Sequence, residues 1–181
     1  MAKKVKKYLD GYPPTKRKYP KGSVGVRGFF RINIIDPDGT VVGDSGWTEN
    51  QVCQPGIQLF LLHLMGASAG SSRPTHVALG SGTDPGYTAT NLPDDGGAGG
   101  TRVSKRAAVT YTNSLSNTAR FTATFQSSDN WLAAADTLKN IGLFGTSAST
   151  VGTIFAGKSF ATSAIATNNN VNVTYDIVFT T

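Results

Sequence analysis

The strongest constraint on how this chain folds is a strict two-residue alternation near its C-terminal end. Val171, Val173, Tyr175, Ile177 and Phe179 alternate with Asn172, Thr174 and Asp176. Successive side chains of a strand point to opposite faces, so this segment predicts one face in a core and one polar face. The same period begins at Ser23, with Val24, Val26, Phe30, Ile32 and Ile34 on one side and Arg27, Phe29, Arg31 and Asn33 on the other. Asp36-Pro37-Asp38-Gly39 then supplies turn chemistry, after which residues 40–42 return as the antiparallel partner. Further strands are expected over 75–79, 103–111, 119–125, 138–144 and 153–160, each bounded by Gly, Asn, Asp or Ser, with a long Gly- and Asp-rich loop over 80–100. Pro55 and Gly66 bracket an apolar run from Ile57 to Met65, the positions that start and stop a short helix. Because that run is apolar nearly all round, the helix is expected to be buried. With no alternating strand–helix pattern, the fold class predicted is all-β: an antiparallel β-sandwich, jelly-roll-like, with one short buried helix.

Charge divides the chain in two. The first 22 residues carry eight of the 17 Lys and Arg and one of the 11 Asp and Glu, a balance of +7 that leaves the remaining 159 residues at −1. Lys3, Lys4, Lys6, Lys7, Lys16, Arg17, Lys18 and Lys21 are interleaved with Tyr8, Tyr12 and Tyr19 and with Pro13, Pro14 and Pro20. Such a segment buries too little apolar surface to fold alone, so residues 1–22 read as an extended arm ordered by a partner, and residues 23–181 as the β-sandwich domain. Fully extended, 22 residues reach up to ~75 Å, enough to cross a neighbouring subunit. Lysines spaced among tyrosines and prolines fit a protein groove with acidic residues and apolar pockets better than a mobile counter-ion tail. The partner-binding residues expected are therefore these eight cations and three tyrosines. Nucleic acid remains the alternative partner of the arm.

The domain's own chemistry is sparse. A nucleophilic triad needs a base beside an activated Ser or Cys, and the usual bases are represented by His63, inside the apolar helix, and His76, at a strand start. Cys53 is the only cysteine, which excludes an internal disulfide and a cysteine-based zinc cluster. The Asp36–Gly39 cluster and Asp94-Asp95-Gly96-Gly97 lack the spaced ligands and closing Glu of a calcium loop, and Gly80-Ser81-Gly82 lacks the Lys of a phosphate loop. No enzyme, metal or cofactor is expected. No signal peptide or membrane span is expected either, because no stretch approaches ~18 uninterrupted apolar residues.

The order of motifs carries a resemblance. VALGSGTD at 77–84, NIGLFGT at 140–146, GTIFAGKSF at 152–160 and VNVTYDIVF at 171–179 follow RINIIDPDGTVVGDSGW at 31–47 and the apolar helix. This series resembles the small β-rich virion structural proteins of tailed bacteriophages, and the likeness covers most of residues 24–181. It implies a non-enzymatic virion component, a capsid-associated decoration or head-fibre-type protein whose partners are other virion proteins of the shell, and a homo-oligomer, with a trimer favoured. The arm lies outside that pattern and is read from its own residues. Two rivals follow from the same sequence. One is a single-jelly-roll coat protein whose arm binds the packaged genome. The other is a glycan-binding module using Trp47 or Trp131, although core packing is the ordinary role of an indole.

Overall fold

The computed structural model describes residues 12, 23–65, 73–95, 106–115, 117–147 and 153–180. Among the described residues the elements are ten antiparallel strands, one α-helix and a single 3-10 turn at Ser127–Asp129: β1 (Gly25–Ile35), β2 (Val41–Asp44), β3 (Thr48–Val52), α1 (Gln54–Leu64), β4 (His76–Gly80), β5 (Arg106–Ala108), β6 (Thr110–Leu115), β7 (Thr118–Phe125), β8 (Asp136–Phe144), β9 (Ile154–Ile165) and β10 (Asn170–Thr180). The all-β, antiparallel expectation holds. The strands form one continuous path, β5-β4-β8-β9-β3-β1-β10-β7-β6, with β2 paired on β1.

That path is a coiled sheet nearly closed into a barrel, whereas a sandwich would stack two separate sheets. The joint is β3, whose first residues pair with Gly28–Phe30 of β1 while Gln51 and Val52 pair with Gly157 and Ala156 of β9. Its sequence, TENQV, has no apolar alternation, which is why a strand was not expected there. At the opposite seam the expected strand over 103–111, of which 103–105 lie outside the described residues, is broken after Ala108. β5 and β6 are separated by Val109, whose N–H donates to the Thr75 carbonyl at 2.9 Å, so the chain passes from one end of the path to the other within a single residue.

Alternation builds the interior. Phe30, Ile32 and Ile34 of β1, Val171, Val173, Tyr175 and Ile177 of β10, and Phe121, Ala123 and Phe125 of β7 share one core with Leu138, Ile141 and Leu143 of β8. Trp131 lies in that core, its ring 4.8 Å from Phe125. A smaller cluster on the other side of β8 and β9 unites Cys53, Ala78, Phe144 and Ile154 with Leu92 from the loop after β4. The buried Asn140 pins that loop, donating from its amide to the carbonyls of Thr83 at 2.8 Å and Pro93 at 3.0 Å. A side chain at Gly157 would place Cβ 2.8 Å from Pro85 Cγ, so the glycine is what lets the loop lie on β9. The Gly of FAGK and the Asn of NIGLF thus both hold the segment that begins LGSGT. The tight turn at 36–40 is turn chemistry as expected: Gly39 N–H donates to Asp36 O, and Asp38 Oδ1 accepts from Thr40 N–H, both at 2.9 Å.

The burial expected of the helix is wrong. Leu61, Leu62 and Met65 are 50%, 45% and 79% exposed, because α1 packs chiefly on β9 and only part of its apolar surface finds a partner. Phe60 packs on Phe179 with ring centroids 5.1 Å apart, and Gly56 sits against the backbone of Phe155. A Cβ on Gly56 would come within 2.1 Å of the Phe155 carbonyl oxygen, a clash with main chain that no rotamer change relieves. Gly56→Ala is therefore expected to destabilise the protein by about 1–3 kcal/mol, the usual cost of overpacking, read as a lower urea midpoint at unchanged slope.

Candidate docking site on the outer face of the sheet

The outer face of the sheet is not uniformly polar. β-Pairing aligns Glu49 of β3 with Phe29 of β1, Phe29 with Asp176 of β10, Asp176 with Arg120 of β7, and Arg120 with Thr112 of β6. These five residues form one row across five strands, on the face opposite Phe30 and Tyr175. Although it sits at a position that alternation made solvent-facing, Asp176 is completely buried, as are Phe29 and Val178. Arg120 clamps the Asp176 carboxylate with two parallel bonds, Nε to Oδ1 at 2.8 Å and Nη2 to Oδ2 at 2.7 Å. A fork of this kind fixes orientation as well as charge, and hydrogen bonding to Asp176 holds the Arg120 pKa above its ordinary value.

Tyr12, from the basic arm, is seated in this row. Its ring stacks on Phe29 at 4.3 Å and meets the edge of Trp47 at 5.0 Å, while its hydroxyl donates to Asp176 Oδ2. Arg120 also lies over Trp47, 5.6 Å from the ring centroid. The socket therefore has an aromatic floor, an aromatic wall and a buried acceptor for the phenol, which together recognise a tyrosine rather than any apolar side chain. Burial, followed by the hydrogen bond to Asp176 and that carboxylate's charge, pushes the Tyr12 pKa up to about 12.

Beside the socket, Arg27 is buried in the same face. Its Nε donates to Glu49 Oε1 at 3.1 Å, and its guanidinium carbon lies 4.6 Å from the Phe29 ring. Farther along β1, the exposed Arg31 binds Asp44, and this contact, above all, holds the Asp44 pKa down at about 2.

Of the arm residues expected to bind a partner, Tyr12 has an apolar pocket and an acidic acceptor, and both come from its own chain. Lys3, Lys4, Lys6, Lys7, Tyr8, Lys16, Arg17, Lys18, Tyr19 and Lys21 lie outside the described residues. Sequence reasoning missed Phe29, Arg120 and Asp176 as site residues and offered Trp47 only for sugar stacking. The signal was present in two apolar residues on polar-face positions, Phe29 and Val178, which an uncovered face would not favour. Trp131, offered for sugar stacking, is in the core, and Trp47 is flanked by Tyr12 and Arg120. The His76 ring bonds Thr75 Oγ1 at 2.9 Å, and burial, with the Arg106 charge second, lowers its pKa. Burial pushes the Cys53 thiol up to about 11, which keeps it protonated and a poor nucleophile at neutral pH. The side chain of His63 lies outside the described residues. No group of three or more potential metal-ligating side chains occurs among the described residues, and none of their helices is long and apolar enough to cross a membrane.

No protein-family model, curated protein or solved structure matches this chain.

Two predictions test the socket. Asp176→Asn removes the ionic partner of Arg120, whose side chain is 34% exposed and can be taken up by water, and is expected to cost about 1–3 kcal/mol in urea unfolding, the range for a lost hydrogen bond to a charged group. Tyr12→Ser leaves the sheet ladders intact, so it should shift the midpoint far less while changing tryptophan fluorescence and accelerating tryptic cleavage after Lys16, Arg17 and Lys18.

The pH response follows from the protonated phenol being the docked form. Its pKa in the folded protein is raised from 10.0 to about 12, so the contribution of Tyr12 is complete below pH 10 and lost as pH rises through the folded value. Burial also pushes the Tyr175 phenol well above the ordinary value, so tyrosinate absorbance should show late titration beyond Tyr12; the part that coincides with the tryptophan fluorescence change should be lost in Tyr12→Phe, and the Tyr175 part retained.

Proposed function

We propose that this protein is a non-enzymatic structural component of a virus particle, of the capsid-associated decoration or head-fibre type, anchored to the shell by its basic N-terminal arm. The observation that carries this reading is the seating of Tyr12 against Phe29, Trp47 and Asp176. It is a protein-type interaction, an aromatic ring in an aromatic socket with a carboxylate acceptor, and it offers nothing to a phosphate backbone. Tyr12 divides the arm into an inner stretch, 13–22, and an outer stretch, 1–11, that bears Lys3, Lys4, Lys6, Lys7 and Tyr8. Eleven residues beyond a fixed point reach at most ~40 Å, the scale of one neighbouring subunit. In this reading Tyr12 sets where the arm leaves the domain, and the outer lysines meet acidic residues of the shell.

The strand pairing supports the finer part of the proposal. First with last (β1–β10), β3 with β9, β4 with β8 and β6 with β7 form a nested set, as if one long hairpin had been rolled up. We read this as a jelly-roll variant in which β3 links the two halves. The exposed apolar side of α1, formed by Leu61, Leu62 and Met65, is the surface we assign to self-association, with a threefold arrangement favoured.

The test uses the full chain and the particle that incorporates it. Deleting residues 1–11 should leave the unfolding free energy within about 1 kcal/mol of the parent value, since the docked Tyr12 is retained, yet abolish incorporation into particles. Normal incorporation of the truncated chain would remove the anchoring role. A fall in genome content in proportion to the lysines removed would favour the genome-binding coat protein. Light scattering of Met65→Lys should report smaller assemblies than the parent.

A further inference from the structure

Three arginines lie on the outer face of the central strands, and the two nearest Phe29, Arg27 and Arg120, differ in chemistry. Arg120 spends its guanidinium on the two oxygens of Asp176. The Arg27 side chain, only 1% exposed, has a single bond from Nε to Glu49 at 3.1 Å. Both of its terminal nitrogens, Nη1 and Nη2, lie buried without a hydrogen-bond partner. A guanidinium stays charged at any pH the fold survives, and donors left unpaired in a low-dielectric setting carry their full desolvation cost. The contact with the Phe29 ring offsets part of the charge and satisfies none of those N–H groups. Two register pairs along, on the same face, Thr180 presents a hydroxyl that is likewise buried and unpartnered; Arg27 pairs with Val178 and Gly25 with Thr180. A planar fork of N–H donors beside a hydroxyl donor is the complement of a carboxylate.

We propose that Arg27, assisted by Thr180, is the receptor for a carboxylate side chain of the protein to which this face docks. The proposal rests on the reading of this face as a protein-docking surface, and it names the partner's chemistry: an acidic peptide segment. Charge selects a carboxylate over a phosphate. Arg27 and Glu49 already balance each other, so a carboxylate leaves one excess negative charge at the site and a phosphate dianion two, and the repulsion from Glu49 is smaller for the carboxylate. The arm, at +7 over its first 22 residues, attracts the same acidic segment from a distance, while Arg27 fixes its register. The Arg27 site is closed, and Tyr12 stacks on the same Phe29, so entry of the carboxylate is coupled to movement of the Tyr12 ring.

The experiment titrates the full chain with tetraglutamate peptide at physiological salt, which screens the exposed arm lysines, and with inorganic phosphate in parallel, following tryptophan fluorescence and thermal stability. Saturable peptide binding, weakened at least tenfold in both Arg27→Met and Arg27→Lys, is expected, since lysine keeps the charge and loses the fork. Arg27→Met alone should lower the melting temperature only slightly, because the buried charge is replaced by an apolar chain of similar length and the Glu49 carboxylate left behind is 28% exposed to water. A large drop in melting temperature would make Arg27 a structural pillar and overturn the assignment. Peptide affinity unchanged in both variants would overturn it as well, and so would phosphate binding that depends on Arg27 more strongly than peptide binding does. Failure here leaves arm anchoring intact if the 1–11 deletion still abolishes incorporation; loss of that arm dependence, with peptide binding retained, would instead remove the anchoring role.

Discussion

The pairing of β1 with β10 is the interaction on which the rest of the molecule depends. Eleven residue pairs, from Gly25–Thr180 to Ile35–Asn170, run without a register shift. Side chains alternate along both strands, so this single register decides two surfaces at once. Phe30, Ile32, Val173 and Tyr175 go to the core, while Phe29, Arg27 and Asp176 go to the face that receives the arm. A slip of one residue would exchange the two sets, placing Asp176 in the barrel and Tyr175 under the arm. The register is thus specified by burial on one side and by an ion pair and an aromatic socket on the other.

Everything else is laid down around that pair. β3 joins β1 on one edge and bends to reach β9, which carries the second half of the sheet, and β7 joins β10 on the other edge. The loop over β8 and β9 is held by Asn140 and by the close approach that Gly157 permits, so a segment rich in turn residues is nonetheless fixed in place. The helix is less committed to the core. Its Gly56 end is seated on β9, and its other end offers leucines and a methionine to whatever lies outside the monomer.

The docking face combines elements of opposite tolerance. The buried Asp176 is satisfied by the half-buried Arg120, and this pair fixes the acceptor for Tyr12. Arg27, a few ångströms away in register, is buried with most of its donors unspent. A face built only for stability would have paired both arginines or neither. The difference separates a part of the surface that holds the arm from a part suited to a further acidic group.

Much of the secondary structure was legible in the sequence because strand alternation and turn residues are local signals. The last strand, the first hairpin and the helix limits were placed within a residue or two by Val171–Phe179, Asp36–Gly39 and the Pro55–Gly66 bracket. β3 was not, because TENQV becomes a strand only by pairing with neighbours on both sides. The exposure of Leu61, Leu62 and Met65 was not legible either, since an apolar run does not say how many of its sides will find a partner. Nor was the socket: Tyr12, Trp47, Arg120 and Asp176 are scattered along the sequence and meet only when β-pairing aligns them. The sequence by itself determined the periodicity, the turns and the separation of a basic arm from a near-neutral domain. Only the tertiary structure decided which polar-face positions are covered, because coverage depends on what another part of the chain brings to that face.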